Sequence, residues 1–356
     1  MARVTLQTIA DRLGVSRMTV SNAFSRPDQL STDLRQRILA AAEELGYVGP
    51  DPAARALARG TTGAIGVLLT DSLPYAFTDE VATRFLAGVV EELAPTGLAL
   101  TLLTSNGQGD VIPARDVAID GALVYSCRAI SPARDWLIRR KLPLVFIDQD
   151  PVPGIPSINI DDRGGARAAA QHLVGLGHRR VGIVTLAIDG PLGIVTDARA
   201  EAEGHPQRQR IQGWLEALDA DAIEPTVVQA RSNSDDEAEE AARLLFADPD
   251  RPTAVLCFSD VLALGVIRIA EELGLAVPDD LSVVGYDDSP FARTRKPALT
   301  TVRQDVVAKG HLAAAALTTA IERARSNSKG RVRHHILPTE LVVRQSTSKA
   351  PRPRLD

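Results

Sequence analysis

Residues 4–24, VTLQTIADRLGVSRMTVSNAF, carry two short helical patterns separated only by Gly14, Val15 and Ser16. Thr5 is placed to cap the first helix, in which Leu6, Ile9, Ala10 and Leu13 share an apolar face. Gly14 ends it, Val15 plugs the turn, and Ser16 caps a second helix with Val20, Ala23 and Phe24 inward. A third helix from Ser31 or Thr32 to Leu45 supplies Leu34, Ile38, Ala42 and Leu45, with Gly46 just past its end. The spacing predicts an all-α helix-turn-helix unit over residues 1–50. The second helix of such a unit enters the DNA major groove. Arg17, Met18, Ser21 and Asn22 then face outward, with the capping residues Thr5 and Ser16 at the helix ends. Arg17 suits guanine O6 and N7, Asn22 suits adenine or a phosphate, and Met18 offers apolar contact to a thymine methyl. The alternative is a small helical bundle on which these side chains are merely solvated.

Residues 51–62 read as a hinge. Asp51 is an N-cap and Pro52 sits at the first helical position, where a missing N–H costs nothing. The segment is too short to hold helix alone in water and is expected to fold when supported. Leu57 is its one large apolar side chain, of the kind that wedges between base steps in a minor groove, and Arg55 and Arg59 flank it for phosphates. A linker whose leucine packs on the next domain is the competing reading.

From residue 63 the pattern changes. AIGVLLT, LALTLLT, GALVYS and PLVFID read as buried parallel strands with helices between, and the alternation restarts after SINIDD. Two such sets imply an α/β core of two doubly wound lobes, with ligands at the carboxyl ends of strands and in the cleft between. Polar residues just beyond those strands are site candidates: Asp71, Asp148, Ser259 with Asp260, and Asp287, with Tyr125 in the third strand. Asp260 also fits a helix cap.

VTLQTIADRLGVSRMTVS, ILAAAEELGYVGPDPAARALARG and LSVVGYDDSPFARTRKPALTTVRQD together resemble the LacI/GalR family of bacterial transcription regulators, over roughly residues 4–345. The resemblance implies a periplasmic-binding-protein-like core over 63–345 that senses a small molecule and dimerises. It implies a homodimer on near-palindromic operator DNA, with heads in successive major grooves and paired hinge helices in the minor groove. Effector binding would shift the population of DNA-competent dimer. It implies three chain crossings between lobes, placed near Ile160, Ser289 and Arg325, so that one lobe takes 63–160 with 290–325 and the other 161–289 with 326–345. It places effector contacts at Asp71, Tyr125, Asp148, Arg210, Ser259, Asp287 and Gln304, with Arg210 opening its helix. Tyr75, Phe77 and Trp214 are available as apolar walls. Serine stands at 259 where the family commonly has asparagine, and SNSDD stands at 232–236 where sugar-binding members often have an aromatic. The effector is therefore expected to be a sugar or related polar metabolite other than an ordinary hexose. The segment 187–209 is long and polar, which is uncommon unless functional or mobile.

Charge is unevenly spread. The whole chain carries −5, yet residues 1–60 hold eight Arg against six Asp or Glu, which is +2 and leaves −7 for the rest. Only the head is then suited to phosphates. Cys127 and Cys257 lie in apolar runs and read as buried thiols, and the histidines lack metal spacing, so no metal or cofactor is expected. No signal peptide or long apolar span is evident, so no membrane contact and a cytoplasmic location are expected. An extracellular binding protein would not carry the DNA-reading head. A sugar-processing enzyme would need an acid–base pair, for which Asp148 and Asp287 are the only candidates, and no nucleophile elbow is present. The tail 346–356 lacks leucine heptads and is expected to be disordered.

Overall fold

The computed structural model describes residues 4–49, 51–69, 74–104, 111–125, 131–186, 191–197, 204–248, 250–328 and 330–351. The chain divides into two units, Met1–Gly63 and Ala64–Asp356.

In the first unit, α1 (Leu6–Leu13) begins at Thr5, whose side chain accepts from the Thr8 amide while Thr8 reaches back to the Thr5 amide. Gly14 closes α1 at φ +67°, a left-handed conformation that an L side chain adopts only at a cost. Ser16 caps α2 (Arg17–Ser25) through the Thr19 amide, and Ser31 caps α3 (Thr32–Glu44) through the Leu34 amide. Ile9, Ala10, Val20, Ala23, Ile38, Ala41 and Ala42 form the buried centre, ringed by Leu6, Leu13, Val15, Phe24, Leu34, Leu45 and Tyr47. The hinge forms α4 (Pro52–Arg59), with the Ala54 amide donating to Asp51 Oδ1 at 3.3 Å and Leu57 87 % exposed.

The second unit holds two sheets. The first is six-stranded, in the order β12 (His334–Leu337), β5 (Ser157–Ile160), β4 (Leu144–Ile147), β3 (Ala122–Tyr125), β1 (Ala64–Leu69), β2 (Ala99–Leu103), and every pairing is parallel. On one face lie α6 (Glu80–Leu93), which follows the short α5 (Tyr75–Thr78), and α14 (Val306–Arg325). On the other lie α7 (Pro113–Asp116) and α8 (Pro132–Arg139). The central strands are buried on both faces, which is why they read as unbroken apolar runs. Gly88 and Gly310 let α6 and α14 touch backbone to backbone, since a Cβ at either would collide with the opposite helix's carbonyl oxygen.

The second sheet is seven-stranded, in the order β13 (Thr339–Val342), β11 (Thr300–Gln304), β10 (Ser282–Asp287), β9 (Ala254–Cys257), β6 (Val181–Leu186), β8 (Thr226–Ala230), β7 (Gly193–Ile194), antiparallel only at its two edges. It is covered by α9 (Asp162–Gly175) and α10 (His205–Asp219) on one face. The other face carries α11 (Asp235–Leu245) and α12 (Asp260–Glu272), and the short α13 (Pro290–Thr294) follows β10.

The chain passes between lobes at Asp161, at Asp305 and at Pro338. The second crossing was expected near Ser289, but β11 pairs with β10, so residues 290–304 stay in the second lobe. The third was expected near Arg325, but β12 pairs in parallel with β5, so the chain remains in the first lobe until Leu337. The crossings lie side by side: the Asp161 amide donates to Leu337 O at 2.9 Å, the Thr339 hydroxyl donates to Asp161 O at 3.0 Å, and Gln304 pairs with Thr339.

Three further expectations change. Residues 346–351 are ordered: Ser346 is fully buried, accepting from the Thr300 amide at 2.8 Å and donating to Val283 O at 2.6 Å. Arg210 does not open its helix, because Gly204 is the cap and Pro206 occupies the first turn of α10, which places Arg210 a turn further in. Part of the long polar segment is structured, with β7 on the edge of β8, while 187–190 and 198–203 lie outside the described residues. Cys257 is a buried free thiol, and Cys127 lies outside the described residues.

Candidate functional site

On the head, Arg17 is exposed and Met18 is 69 % exposed, whereas Ser21 and Asn22 are half-buried. Asn22 Nδ2 donates to Gln29 Oε1 at 3.2 Å, so that amide must leave an intramolecular partner to reach a base. Thr5 and Ser16 spend their hydroxyls on capping. Arg55 is exposed on α4, and the Arg59 side chain lies outside the described residues.

In the core, charged side chains from both lobes converge at strand ends. Asp148 follows β4 with φ +54° and Asp287 ends β10 with φ +105°, backbone conformations that non-glycine residues hold only where the surroundings impose them. Lys309, on α14, is fully buried and donates to Asp148 Oδ2 at 2.6 Å and to Gln304 Oε1 at 3.2 Å. Gln304, at the end of β11, donates through Nε2 to Asp287 Oδ1 at 2.6 Å. Arg210 lies 3.8 Å from Asp287 and donates through Nε to Asp162 at 2.8 Å. Its guanidinium also donates to Phe258 O and stacks over the Tyr286 ring at 3.5 Å and the Phe258 ring at 4.3 Å. Tyr125 packs on Phe85 with ring centroids 4.8 Å apart and faces the Lys309 ammonium at 5.6 Å. One continuous network thus joins Asp148 of the first lobe to Asp162 of the second.

Burial is the largest influence on these carboxyls. It raises Asp287 to about 6 even though Arg210, Gln304 and Lys309 favour the charged form. Asp162 is raised by burial against the pull of Arg210. The next residue, Asp288, behaves oppositely: hydrogen bonds from Arg303, Arg344 and Arg293 outweigh its burial and hold it at about 2. That clamp, with Arg303 Nε at 2.7 Å and Arg293 NH2 at 2.8 Å, pins the end of β10 and so positions Asp287.

Two additional contacts span the lobes. Asn233 Nδ2 donates to Asp79 Oδ2 at 3.1 Å, and Asp150 accepts from Arg208 NH2 at 2.7 Å and pairs with His205 at 2.8 Å. Between the lobes lies a cavity of about 100 Å³ lined by Tyr125, Asp148, Gln207, Arg210, Asp287 and Lys309, among others. Beside it lies one of about 470 Å³ that also takes Glu80, Arg84 and Arg268, the two sharing Asp79, Val81, Asn233 and Asp287.

The structure therefore brings Tyr125, Asp148, Arg210, Asp287 and Gln304 together and separates other candidates from them. Ser259 is the N-cap of α12 and donates to Asn233 Oδ1 at 2.5 Å, so its hydroxyl is already committed. Asp260 accepts from the Ser289 amide at 2.7 Å and from the Thr301 hydroxyl at 2.6 Å, which makes it a tie between loops. Trp214 is buried in the second lobe's core and Phe77 is 69 % exposed. Asp71 and the side chain of Tyr75 lie outside the described residues. Lys309, Asp162, Asn233 and Phe258 were missed. Lys309 carried a signal, as a lone cation on the stripe Val306, Gly310, Ala313, Ala314, Leu317 that faces the core. Asn233 sits in the very SNSDD stretch read only for its lack of an aromatic.

Residues 5–49 match the family described as bacterial regulatory proteins, lacI family, and residues 170–347 match a periplasmic binding protein-like domain. The HTH-type transcriptional regulator IpsA of Corynebacterium glutamicum is 41 % identical over 331 residues, 90 % of this chain and 92 % of that protein. The chain belongs to the LacI family. Its fold agrees with that of the lac repressor dimer bound to operator and the anti-inducer ONPF, at a TM-score of 0.76 and 25 % identity, covering 98 % of this chain and 100 % of the other. The CelR–cellobiose complex matches at a TM-score of 0.67 and 29 % identity over 97 % of this chain and 100 % of its own. The protein is a DNA-binding transcriptional regulator of the LacI family, and its relatives are regulators rather than enzymes. No helix among the described residues is long and apolar enough to cross a membrane.

Proposed function

We propose that the protein is a homodimeric repressor of near-palindromic operators whose DNA affinity is set by a small polar effector, a sugar or related metabolite, bound between the lobes. The observation that carries this reading is the set of atoms left over in the cleft. Asp148 Oδ1 and Gln207 Oε1 are buried and have no hydrogen-bond partner among the described residues, and both are acceptors. A ligand that donates hydrogen bonds, such as a polyhydroxylated molecule, satisfies them, whereas a phosphate would meet further negative charge. Ligand pockets begin at roughly 300 Å³. The cavity of about 100 Å³ at Asp148 and Gln207 falls below that size and the one of about 470 Å³ beside it falls within it, and residues of both lobes line each. Binding is thereby coupled to lobe position, which gives the effector the differential affinity that an allosteric response needs. The cellobiose held by CelR supports the same ligand class.

The operator is obtained by selection from random duplexes, and a library of sugars and polyols is then screened by thermal shift and tested for its effect on operator binding. No hit that alters operator affinity would end the effector reading. With a hit in hand, Asp287→Asn should weaken effector binding by about 1–3 kcal/mol while effector-free operator affinity stays unchanged. Arg210 is the poorer probe, since removing it also strands the buried Asp162 carboxylate.

Base reading is tested separately. Arg17→Ala should weaken operator binding by about 1–3 kcal/mol and relax preference at one base pair in each half-site. An equal loss on random duplex would assign Arg17 to the phosphates instead.

A further inference from the structure

The core as a whole is acidic, but its acidity is not uniform. All strands of the first sheet are parallel, so their N-terminal ends share one edge, the edge at which the chain arriving from α4 enters β1 at Ala64. Asp120 marks the place: its amide donates to Ala64 O at 2.8 Å and its Oδ2 accepts from Arg325 NH2 at 2.9 Å. α14 ends here with Arg323 and Arg325, and α8 ends here with Arg139, followed by Lys141 on the way into β4. Arg331 and Arg333 lead into β12, with Arg333 O accepting from the Ser157 amide at 3.3 Å.

All six cations are exposed. Arg325 is paired with Asp120, and Arg139 stacks on the Trp136 ring at 5.3 Å. Lys141, Arg323, Arg331 and Arg333 form no ion pair among the described residues. Glu322 is the one further acid on these stretches, and of the acids that end the neighbouring helices Asp116 pairs with Arg115 and Glu91 and Glu92 pair with His311, so cations are in excess on a lobe where net negative charge was expected.

We propose that this basic edge binds DNA phosphates, adding sequence-independent affinity to the base reading done by the head. The proposal rests on the family's DNA binding, which supplies the polyanion. The edge carries Ala64, the first residue of β1, to which the segment after α4 connects in sequence. Side chains without an intramolecular partner lose nothing by turning to a phosphate, and each phosphate they neutralise releases condensed counterions.

The test uses the full chain carrying Arg323→Ala, Arg331→Ala and Arg333→Ala, titrated by fluorescence anisotropy against the selected operator and a random-sequence duplex across about 50–200 mM salt. The slope of log K against log salt should become shallower by about 0.9 for each phosphate that is no longer neutralised. Affinity should fall by a similar factor on both duplexes, leaving their ratio unchanged. Arg251→Ala, an exposed arginine of the second lobe, should leave the slope where it was. The triple Arg→Lys variant should keep the wild-type slope because it keeps the charge. An unaltered slope in the alanine variant overturns the proposal, as does an equal loss in the lysine variant, which would make the role structural. A wild-type protein that binds neither duplex would overturn the DNA-binding reading itself.

Discussion

Lys309→Met should lower the stability of the core by about 3–5 kcal/mol, the usual consequence of removing one partner from a buried ion pair. The Lys309 ammonium donates to Asp148 Oδ2 at 2.6 Å with both side chains almost wholly out of solvent, and the other oxygen of Asp148 already lacks a partner among the described residues. Methionine keeps most of the aliphatic stem, so the loss isolates the charge from the packing. At about 2–4 °C per kcal/mol for domains of 150–250 residues, melting should fall by roughly 6–20 °C. Adding Asp148→Leu should recover much of the loss, because the carboxylate that the first change stranded is then gone. Scanning calorimetry checks both steps, and a loss below about 1 kcal/mol in the single variant would show that Asp148 finds another cation or water.

The core should also grow less stable as pH rises from 5 to 8. Asp260 is raised to about 7, first by burial and next by the charge of Asp287, while hydrogen bonds from Thr301 and Ser289 oppose the shift. The folded protein therefore holds this proton more tightly than the unfolded chain, whose carboxyl titrates near 3.9. The contribution is fully present below that value and is lost as pH rises through about 7. A shift of about three units corresponds to about 4 kcal/mol. Asp287, at about 6, acts in the same direction. Asp288, at about 2, acts in the other: it stabilises above the unfolded value and its contribution disappears only as pH falls toward 2. Asp260→Asn keeps an acceptor for the Ser289 amide and should flatten the profile between pH 5 and 8. Denaturant midpoints measured across that range decide the matter, since a variant as steep as wild type would place the titration elsewhere.

The head was the most legible part because its elements are local: each cap lies within three residues of the amide it serves, and the apolar stripes lie within single helices. The lobes were legible as alternating strands and helices, but strand order is a long-range property. Nothing in TTVRQ distinguishes a strand of one sheet from a strand of the other, and only the pairing of β11 with β10 assigns it to the second lobe. The same limit governs the cleft. Asp148, Asp287 and Gln304 stand at strand ends, where a residue's place in the chain fixes its place in the fold. Lys309 and Asp162 reach the cleft from helices, and their partners Asp148 and Arg210 are distant in sequence, which no local pattern reveals. Ser259 shows the opposite limit: its place after a strand marks it as a candidate contact, while its local role as the cap of α12 already engages its hydroxyl.

The three crossings at Asp161, Asp305 and Pro338 bear on how the chain is made. The helix-turn-helix unit is complete soon after Tyr47 leaves the ribosome, with every core residue already translated. The first lobe is not: α14 and β12 follow the entire run from Asp162 to Gln304, so its sheet waits with β5 uncovered on one side until Leu337 has been synthesised. The second lobe can pair most of its strands in the meantime and lacks only β13. A ribosome that stalls or terminates between those points therefore releases a finished DNA-reading head attached to an unfinished lobe with an open strand edge, the kind of surface on which nascent chains aggregate.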